Sequence, residues 1–166
     1  ACLEACREEG VKEVFFTMWG DDGAYCDFDS ALAGLAWAAE QACAPEGADE
    51  TLLATRFAAV CGGADYGAVT QACDLTDNCS AGILWDDPII GIFANEGLAP
   101  AHHPSWTEVR EGFARLAETL APFSGQDQAG DLDHARMLAD VLARKMDIRD
   151  RLVAGYDARD LQALAT

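Results

Sequence analysis

The sequence predicts a mostly α-helical protein with one strand-and-helix unit near its N-terminal end. Three observations favour this fold class. Apolar residues recur at helical spacing over most of the chain. A short run rich in β-branched and aromatic residues, 11–18, is typical of a buried strand. Proline and glycine within 45–48 interrupt the pattern, which divides the chain into predicted domains 1–45 and 46–166.

The predicted N-terminal domain alternates helix, strand, loop and helix. Residues 1–9 predict the end of a helix that stops at Gly10, and the strand over 11–18 follows. Ser30 is suited to cap a helix over 31–43, whose apolar composition predicts burial on more than one side. A lone strand cannot satisfy its backbone groups, so this unit implies further strands. We therefore expect the chain either to oligomerise, for example as a homodimer, or to cover the strand with its own helices.

The second predicted domain is all-helical. Its helices are predicted over 49–61, 66–73, 106–121 and 131–155. In the long last helix, opposite charges four residues apart predict ion pairs between Asp140 and Arg144 and between Asp147 and Arg151. Lys145 lies within the apolar stripe, and we expect it to reach water or an acidic side chain. The core-facing residues of this helix are predicted to be Leu138, Val141, Leu142, Ile148 and Leu152.

Charge and cysteine content exclude several classes of protein. The net charge of −18 over 166 residues repels phosphate backbones and anionic lipid, which argues against nucleic-acid and membrane-surface binding. No apolar run reaches the length of a membrane span. Seven cysteines without a CxxC pair favour free thiols buried as small apolar residues in a reducing cytoplasm, with a disulfide framework or a zinc site as alternatives. The chain starts without Met and inside a helical pattern, so we expect it to be part of a longer protein.

The stretch Val11–Cys26 is the strongest candidate for a ligand site. Its predicted strand ends in Trp19 and then in a loop that carries Asp21 and Asp22. An indole packs on the C–H face of a sugar ring, and carboxylates accept hydrogen bonds from its hydroxyl groups. Delivery from the C-terminal end of a strand matches the site geometry of α/β barrels. The alternative is an ordinary tight turn, because Gly-Asp-Asp-Gly is common turn chemistry.

Other groups with reactive or charged side chains favour structural roles. Asp49-Glu50 stands at the head of a predicted helix, where capping is the simpler interpretation than a catalytic pair. His102-His103 lies in a loop without a pattern of metal ligands, and His134 is expected to face solvent. The sequence holds no phosphate-binding loop, serine elbow or Cys/His nucleophile pattern.

Three segments resemble a bacterial branch of glycoside hydrolase family 20, the exo-acting β-N-acetylhexosaminidases and related glucosaminidases. FFTMWGDDGAYCDFDSALAGLAWAAE (15–40) is similar to the eighth strand and helix of the catalytic barrel, where the branch has Trp-Gly-Asp-(Asp/Asn)-Gly-x-Glu. LWDDPIIGIF (84–93) and LARKMDIRDRLVAGYDARDLQALA (142–165) are similar to parts of an all-helical C-terminal domain. The resemblance therefore implies the last strand and helix of a (β/α)8 barrel in 1–45, followed by a helical C-terminal domain in 46–166.

The resemblance also implies a site and a mechanism. Trp19 would form one wall of the sugar pocket, and Asp21 and Asp22 would contact sugar hydroxyls. Tyr25 stands where the branch often has glutamate, and its phenol can also hydrogen-bond a hydroxyl group. In the family the 2-acetamido oxygen attacks the anomeric carbon, a glutamate protonates the leaving oxygen, and an aspartate orients the acetamido group. That Asp-Glu pair belongs to a fourth strand upstream, so no catalytic residue is assigned to this chain and it is expected to be inactive alone.

The resulting expectation is a cytoplasmic glycosidase that acts on a carbohydrate substrate without a metal or organic cofactor. Two alternatives stay open. A helical interaction or dimerisation module would show an apolar patch left over after packing within the chain. A structural brace without a ligand site would show a sealed core and no pocket.

Overall fold

The structure is a computed structural model that describes residues 2–17, 31–44, 47–72, 84, 106–125, 132–160 and 162. The regular elements in these ranges are all helical, which confirms the mostly helical fold class. None of the described helices is both long and apolar enough to cross a bilayer. The elements are α1 (Cys2–Glu8), α2 (Leu32–Cys43), α3 (Glu50–Val60), α4 (Tyr66–Ala72), α5 (Trp106–Leu120), a 3-10 turn (Ala121–Phe123) and α6 (Leu132–Asp157).

Glycines in the left-handed backbone region end the helices α1 and α3. Gly10 has a φ of 71°, and the amide of Val11 then donates to the carbonyl of Cys6 at 2.8 Å. Gly62 ends α3 with a φ of 65°. This conformation costs glycine little because it lacks a Cβ atom. The stops predicted at these two glycines are confirmed.

The helices α5 and α6 form an antiparallel hairpin. Ser124, just after α5, donates its hydroxyl to Asp133 at the start of α6, with 2.6 Å between the oxygens. Near the start of α5, Arg110 Nη1 lies 3.5 Å from Asp150 Oδ2 near the end of α6. The largest fully buried side chains lie mostly between these two helices, and they are Phe113, Leu120, Leu142, Met146, Val69 and Val109.

The helix α2 joins the same core as the helices that follow it. Ala33 of α2 belongs to one buried cluster with Phe57 of α3 and Ala68 of α4. Arg56 Nη1 of α3 also donates to both carboxylate oxygens of Glu40 in α2, at 2.9 and 2.7 Å. Packing and an ion pair therefore connect the two domains that the sequence predicted.

The strand predicted over 11–18 is not formed in residues 11–17, which have no regular secondary structure. All seven of these residues are exposed, and Phe15 is 87% exposed. A strand pairs its backbone groups with a neighbouring strand, and the described residues contain none. The helix α2 is also less buried than its sequence predicted, because Ala33 and Ala38 are its two buried residues. Burial of α2 on more than one side is therefore not found.

The helix α6 turns a different face to the core from the one the sequence predicted. Leu142 is buried as expected, but Val141 is 51% exposed and Ile148 is 46% exposed. The helix has two apolar stripes, and α5 packs on the one where Ala135 and Ala139 allow close approach. The buried positions are Leu132, Ala135, Ala139, Leu142, Met146, Arg149 and Gly155.

Candidate functional site

The four residues predicted to contact a sugar lie outside the described residues. They are Trp19, Asp21, Asp22 and Tyr25. The structure describes the segment that leads to them, 11–17, and the two helices on either side of it in the sequence. The sugar site therefore stays a prediction. The geometry given below is that of the segment 11–17 and of the helices α1 and α2.

A groove of about 660 Å³ lies between the segment 11–16 and the helices α1 and α2. Leu3 and Cys6 line it from α1, and Ala38 and Ala42 line it from α2. The groove is open, and the segment contributes exposed apolar side chains to it. It therefore has the character of an uncovered packing surface rather than of a polar ligand site.

An adjoining groove of about 540 Å³ lies between α1 and α2. Trp37 and Gln41 of α2 line it, together with Glu4 and Arg7 of α1. The guanidinium of Arg7 donates to the backbone carbonyl of Gln41, so this cation is engaged in holding α1 on α2. Among the described residues, the first groove is lined by one carboxylate, that of Glu13, and the second by that of Glu4. Neither presents the carboxylate pair of a general acid–base site.

The adjacent acids Asp49 and Glu50 begin the helix α3. Asp49 Oδ1 accepts a hydrogen bond from the amide of Leu52 at 3.0 Å. The carboxylate of Glu50 in the first turn is favoured by the positive end of the helix dipole. The prediction that this pair caps a helix is confirmed.

The described residues contain no group of three or more His, Cys, Asp or Glu side chains that could hold a metal ion. His134 is exposed as predicted, and His102-His103 lies outside the described residues. The described cysteines are free thiols, namely Cys2, Cys6, Cys43 and Cys61. Cys2 and Cys43 are exposed, so the prediction that the cysteines are buried is wrong for these two. Cys6 and Cys61 are partly buried, and Cys61 packs against the core.

A buried cation between α5 and α6 is the main charged feature that the sequence analysis missed. Arg149 is 9% exposed, and its guanidinium carbon lies 4.6 Å from the ring centre of Trp106. Its Nη1 donates to Asp150 Oδ1 at 2.9 Å, while its buried Nε has no hydrogen-bond partner. The position of Arg149 three residues after Met146, on the core stripe, is the signal that could have revealed it. Its contacts are with the protein's own helices, which indicates a structural role.

The ion pairs along α6 differ in part from the predicted ones. Arg144 Nε donates to Asp140 Oδ2 at 2.9 Å, which confirms the first pair. Asp147 lies 3.8 Å from Arg110 of α5 instead of pairing with Arg151. Arg151 makes no ion pair with any residue in the described ranges. The packing of α5 against α6 brings Arg110 to Asp147, and sequence spacing within one helix cannot predict such a contact.

Lys145 connects α6 to a distant part of the chain. Its Nζ donates to the backbone carbonyl of Leu84 at 2.8 Å. This carbonyl was not among the partners that the sequence predicted, which were water or an acidic side chain. The bond holds Leu84, which also packs against the core, beside α6.

The start of α6 is fixed by Asp133. Its carboxylate accepts hydrogen bonds from the hydroxyl of Ser124 at 2.6 Å, the amide of Gly125 at 2.8 Å and Arg136 Nε at 3.3 Å. The Ser124 hydroxyl, followed by the Gly125 amide and then Arg136, lowers the pKa of Asp133 below its ordinary value. The hydrogen bonds from Ser124 and Gly125 hold the end of the 3-10 turn against the start of α6.

Residues 56–166 match the family model of the Glycoside Hydrolase 20C C-terminal domain. The chain belongs to this family. No curated protein sequence and no solved structure matches the chain. The family match confirms the resemblance to glycoside hydrolase family 20 and identifies the chain as part of a glycosidase of that family.

The glycoside hydrolase 20C C-terminal domain begins within α3 and includes α4, α5 and α6. The segments 84–93 and 142–165, on which part of the resemblance rested, lie inside the matched range. The segment 15–40 lies before it, so the barrel assignment continues to rest on the resemblance of that segment.

Proposed function

We propose that the chain is the C-terminal part of a bacterial, exo-acting glycoside hydrolase that removes terminal β-linked N-acetylhexosamine, or glucosamine. In this proposal residues 1–45 supply the last strand and helix of a (β/α)8 barrel and residues 46–166 supply the helical domain. The observation that carries the proposal is the family match over 56–166. The sequence Trp-Gly-Asp-Asp-Gly at 19–23 supports it, because it precedes the matched domain in the order that the resemblance implies.

The exposed segment before Trp19 is consistent with a barrel strand. Phe15 is 87% exposed and Phe16 is 54% exposed, with Val14 also exposed beside them. In a parallel barrel, neighbouring strands and the outer helices cover the residues of each strand. The open groove of about 660 Å³ along this segment is a surface that such neighbours would fill.

The proposed chemistry assigns binding roles to this chain. Trp19 packs on the C–H face of the terminal sugar, Asp21 and Asp22 accept hydrogen bonds from its hydroxyls, and the phenol of Tyr25 contacts a further hydroxyl. Hydrolysis is substrate-assisted and retaining, with the 2-acetamido oxygen as nucleophile and an Asp-Glu pair from another strand orienting it and protonating the leaving group. The chain alone is therefore expected to lack hydrolytic activity.

The test is the hydrolysis of a chromogenic β-N-acetylglucosaminide by the enzyme that contains this chain. Trp19→Ala and Asp21→Ala should each lower kcat/KM by about tenfold or more, because each removes a contact to the sugar. Trp19→Phe keeps an aromatic face and should retain most of the activity. Asp157→Ala removes an exposed carboxylate at the end of α6 and serves as the control. Unchanged kcat/KM in both Trp19→Ala and Asp21→Ala would contradict the site.

A cytoplasmic location is part of the proposal. The four described cysteines are free thiols, two of them exposed and two partly exposed. Exposed thiols persist in a reducing compartment, whereas an oxidising one favours disulfides. Fractionation of cells that express the tagged enzyme tests the location, and recovery in the culture medium would contradict it.

A further inference from the structure

The last turn of the helix α2 is bonded to the helices on both sides of it in the sequence. Arg56 Nη1 of α3 lies 2.9 and 2.7 Å from the two carboxylate oxygens of Glu40. The next residue of α2, Gln41, accepts a hydrogen bond on its backbone carbonyl from the guanidinium of Arg7 in α1. Two neighbouring residues of α2 therefore bond this helix to α1 and to α3.

Glu40 is the more buried partner of the ion pair with Arg56. The side chain of Glu40 is 12% exposed, whereas that of Arg56 is 57% exposed. A carboxylate that has lost most of its contact with water needs hydrogen bonds and an opposite charge to remain ionised there. Arg56 supplies both, so its removal favours a movement of the end of α2 that returns Glu40 to water.

Apolar packing holds α2 less firmly than it holds the other long helices. The buried residues of α2 are two alanines, Ala33 and Ala38. Ala33 packs in one cluster with Phe57 of α3 and Ala68 of α4. Alanine buries little apolar area, and the stabilisation from burial scales with that area. The ion pair of Glu40 with Arg56 therefore contributes a substantial part of what fixes α2 on the helical domain.

The position of α2 bears on the proposed sugar site because of the order of the chain. Residues 18–30 carry the four proposed sugar-binding residues and join the segment after α1 to the start of α2. Arg7 bonds α1 to α2, and Arg56 bonds α2 to α3. The helices before and after 18–30 are thus both connected to the helical domain through α2. A shift of about 1 Å in a binding group can cost much of its contribution.

We propose that Arg56, through its ion pair with Glu40, is a positioning residue for the sugar-binding residues within 18–30. The helical domain in this way fixes the helix that follows those residues, without itself contacting the sugar. Arg56 is the first residue of the family match, so the role belongs to the C-terminal domain. The inference rests on the proposed sugar site. It adds no catalytic residue, because Arg56 acts through Glu40 and α2.

Steady-state kinetics of the enzyme that contains this chain test the role. Arg56→Met should raise KM for a chromogenic β-N-acetylglucosaminide by about threefold and change kcat by less than about twofold, because displaced contacts bind the ground state and the transition state equally less well. Arg56→Lys keeps a cation beside Glu40 and should restore most of the affinity. Arg115→Met is the matched control, since Arg115 is an exposed arginine whose carboxylate partner, Glu111, lies on the same helix. It should leave KM unchanged.

Two further measurements show whether Arg56 acts through Glu40 and on residues 18–30. Adding Glu40→Gln to Arg56→Met should raise KM no further, because both changes break the same ion pair. Hydrogen exchange followed by mass spectrometry needs no enzymatic activity. Peptides from 18–30 and from α2 should exchange faster in Arg56→Met than in the unmodified enzyme, and at an unchanged rate in Arg115→Met.

The outcomes separate this inference from the proposed hydrolysis. An unchanged KM in active Arg56→Met would overturn the inference, even with a lower kcat, because a pair that only stabilises the fold changes the amount of folded enzyme and not its affinity for the sugar. Unchanged exchange in 18–30 would also overturn it, whether or not the enzyme hydrolyses the substrate. Faster exchange in 18–30 in an enzyme without activity would support the positioning by Arg56 and contradict the proposed hydrolysis instead.

Discussion

Replacing Arg149 by methionine separates the contribution of its charge from that of its carbon chain. The guanidinium lies over the ring of Trp106 and donates to Asp150, but its buried Nε has no partner. Methionine retains an unbranched chain that can fill the same space between α5 and α6, while alanine leaves that space empty. Comparing Arg149→Met with Arg149→Ala therefore measures the two contributions in one site.

The magnitudes nearly cancel for Arg149→Met. The variant loses a cation–π contact of about 1–2 kcal/mol and a hydrogen bond to Asp150 of about 1–2 kcal/mol. It also removes the buried unpaired Nε, whose desolvation costs about 1–3 kcal/mol. Asp150 keeps a second cation, because Arg110 Nη1 lies 3.5 Å from it. At the midpoints of these ranges, a loss of about 3 kcal/mol and a gain of about 2 kcal/mol, the free energy of unfolding falls by about 1 kcal/mol.

Arg149→Ala should be less stable than Arg149→Met by about 2 kcal/mol. Relative to methionine, alanine lacks the γ-methylene, the sulfur and the terminal methyl group, with each carbon contributing about 0.8 kcal/mol, and it leaves a cavity beside Trp106. Urea unfolding followed by circular dichroism measures both variants. Arg115→Met is the control, because Arg115 is exposed and lies 3.8 Å from Glu111, so its loss should cost less than about 0.5 kcal/mol. A cost of about 3 kcal/mol or more for Arg149→Met would refute the reasoning and show that the charge itself stabilises the hairpin.

Two further predictions concern ionic contacts. The lowered pKa of Asp133 means that its carboxylate favours the folded state above the ordinary aspartate pKa, and that this contribution is lost as the pH falls through the lowered value. The difference in unfolding free energy between the unmodified chain and Asp133→Asn should therefore be constant near neutral pH and shrink in acid. A difference that grows in acid would contradict a stabilising hydrogen bond from Ser124 to the Asp133 carboxylate. For the pair of Arg56 and Glu40, a double-mutant cycle of Arg56→Met and Glu40→Gln should give a coupling of about 0.5–1 kcal/mol that falls with added salt. A coupling of zero at low salt would show that the contact of Arg56 Nη1 with the Glu40 carboxylate does not stabilise the packing of α2 on α3.

The helices could be predicted because their signals are local. Asp49 before an apolar run and the glycines after α1 and α3 define helix ends through hydrogen bonds within a few residues. The single apolar face of α5, with Val109, Phe113 and Leu116 buried, follows directly from helical spacing. Such features need no knowledge of the rest of the fold.

The orientation of α6 could not be predicted in the same way. Its sequence offers two apolar stripes, one with large side chains such as Val141 and Ile148 and one that includes Ala135 and Ala139. Large side chains favour burial by area, but small ones let α5 approach closely, and packing of the hairpin decides between them. The buried Arg149 arises from the same choice, because it shares the stripe that α5 covers.

The candidate sugar site depends on contacts that local sequence does not contain. The apolar run that ends in Phe15 and Phe16 predicted a buried strand, yet these residues are exposed because the described part of the chain offers no strand to pair with them. The apolar pattern thus predicts that this segment can form a buried strand. Whether the strand forms depends on other strands that pair with it. In the proposed enzyme, those strands are supplied by the rest of the barrel.

The helix α2 connects the proposed barrel piece to the family domain. Ala33 lies in one core with Phe57 and Ala68, although the family match begins only at residue 56. Leu35, by contrast, is 38% exposed on a helix whose composition predicted wider burial. One side of α2 is therefore used by the helical domain, and the apolar residues that stay exposed are available to pack on a barrel. The helix α2 has a nearly continuous apolar composition but buries two alanines, and its remaining apolar surface is the part that the proposed barrel would cover.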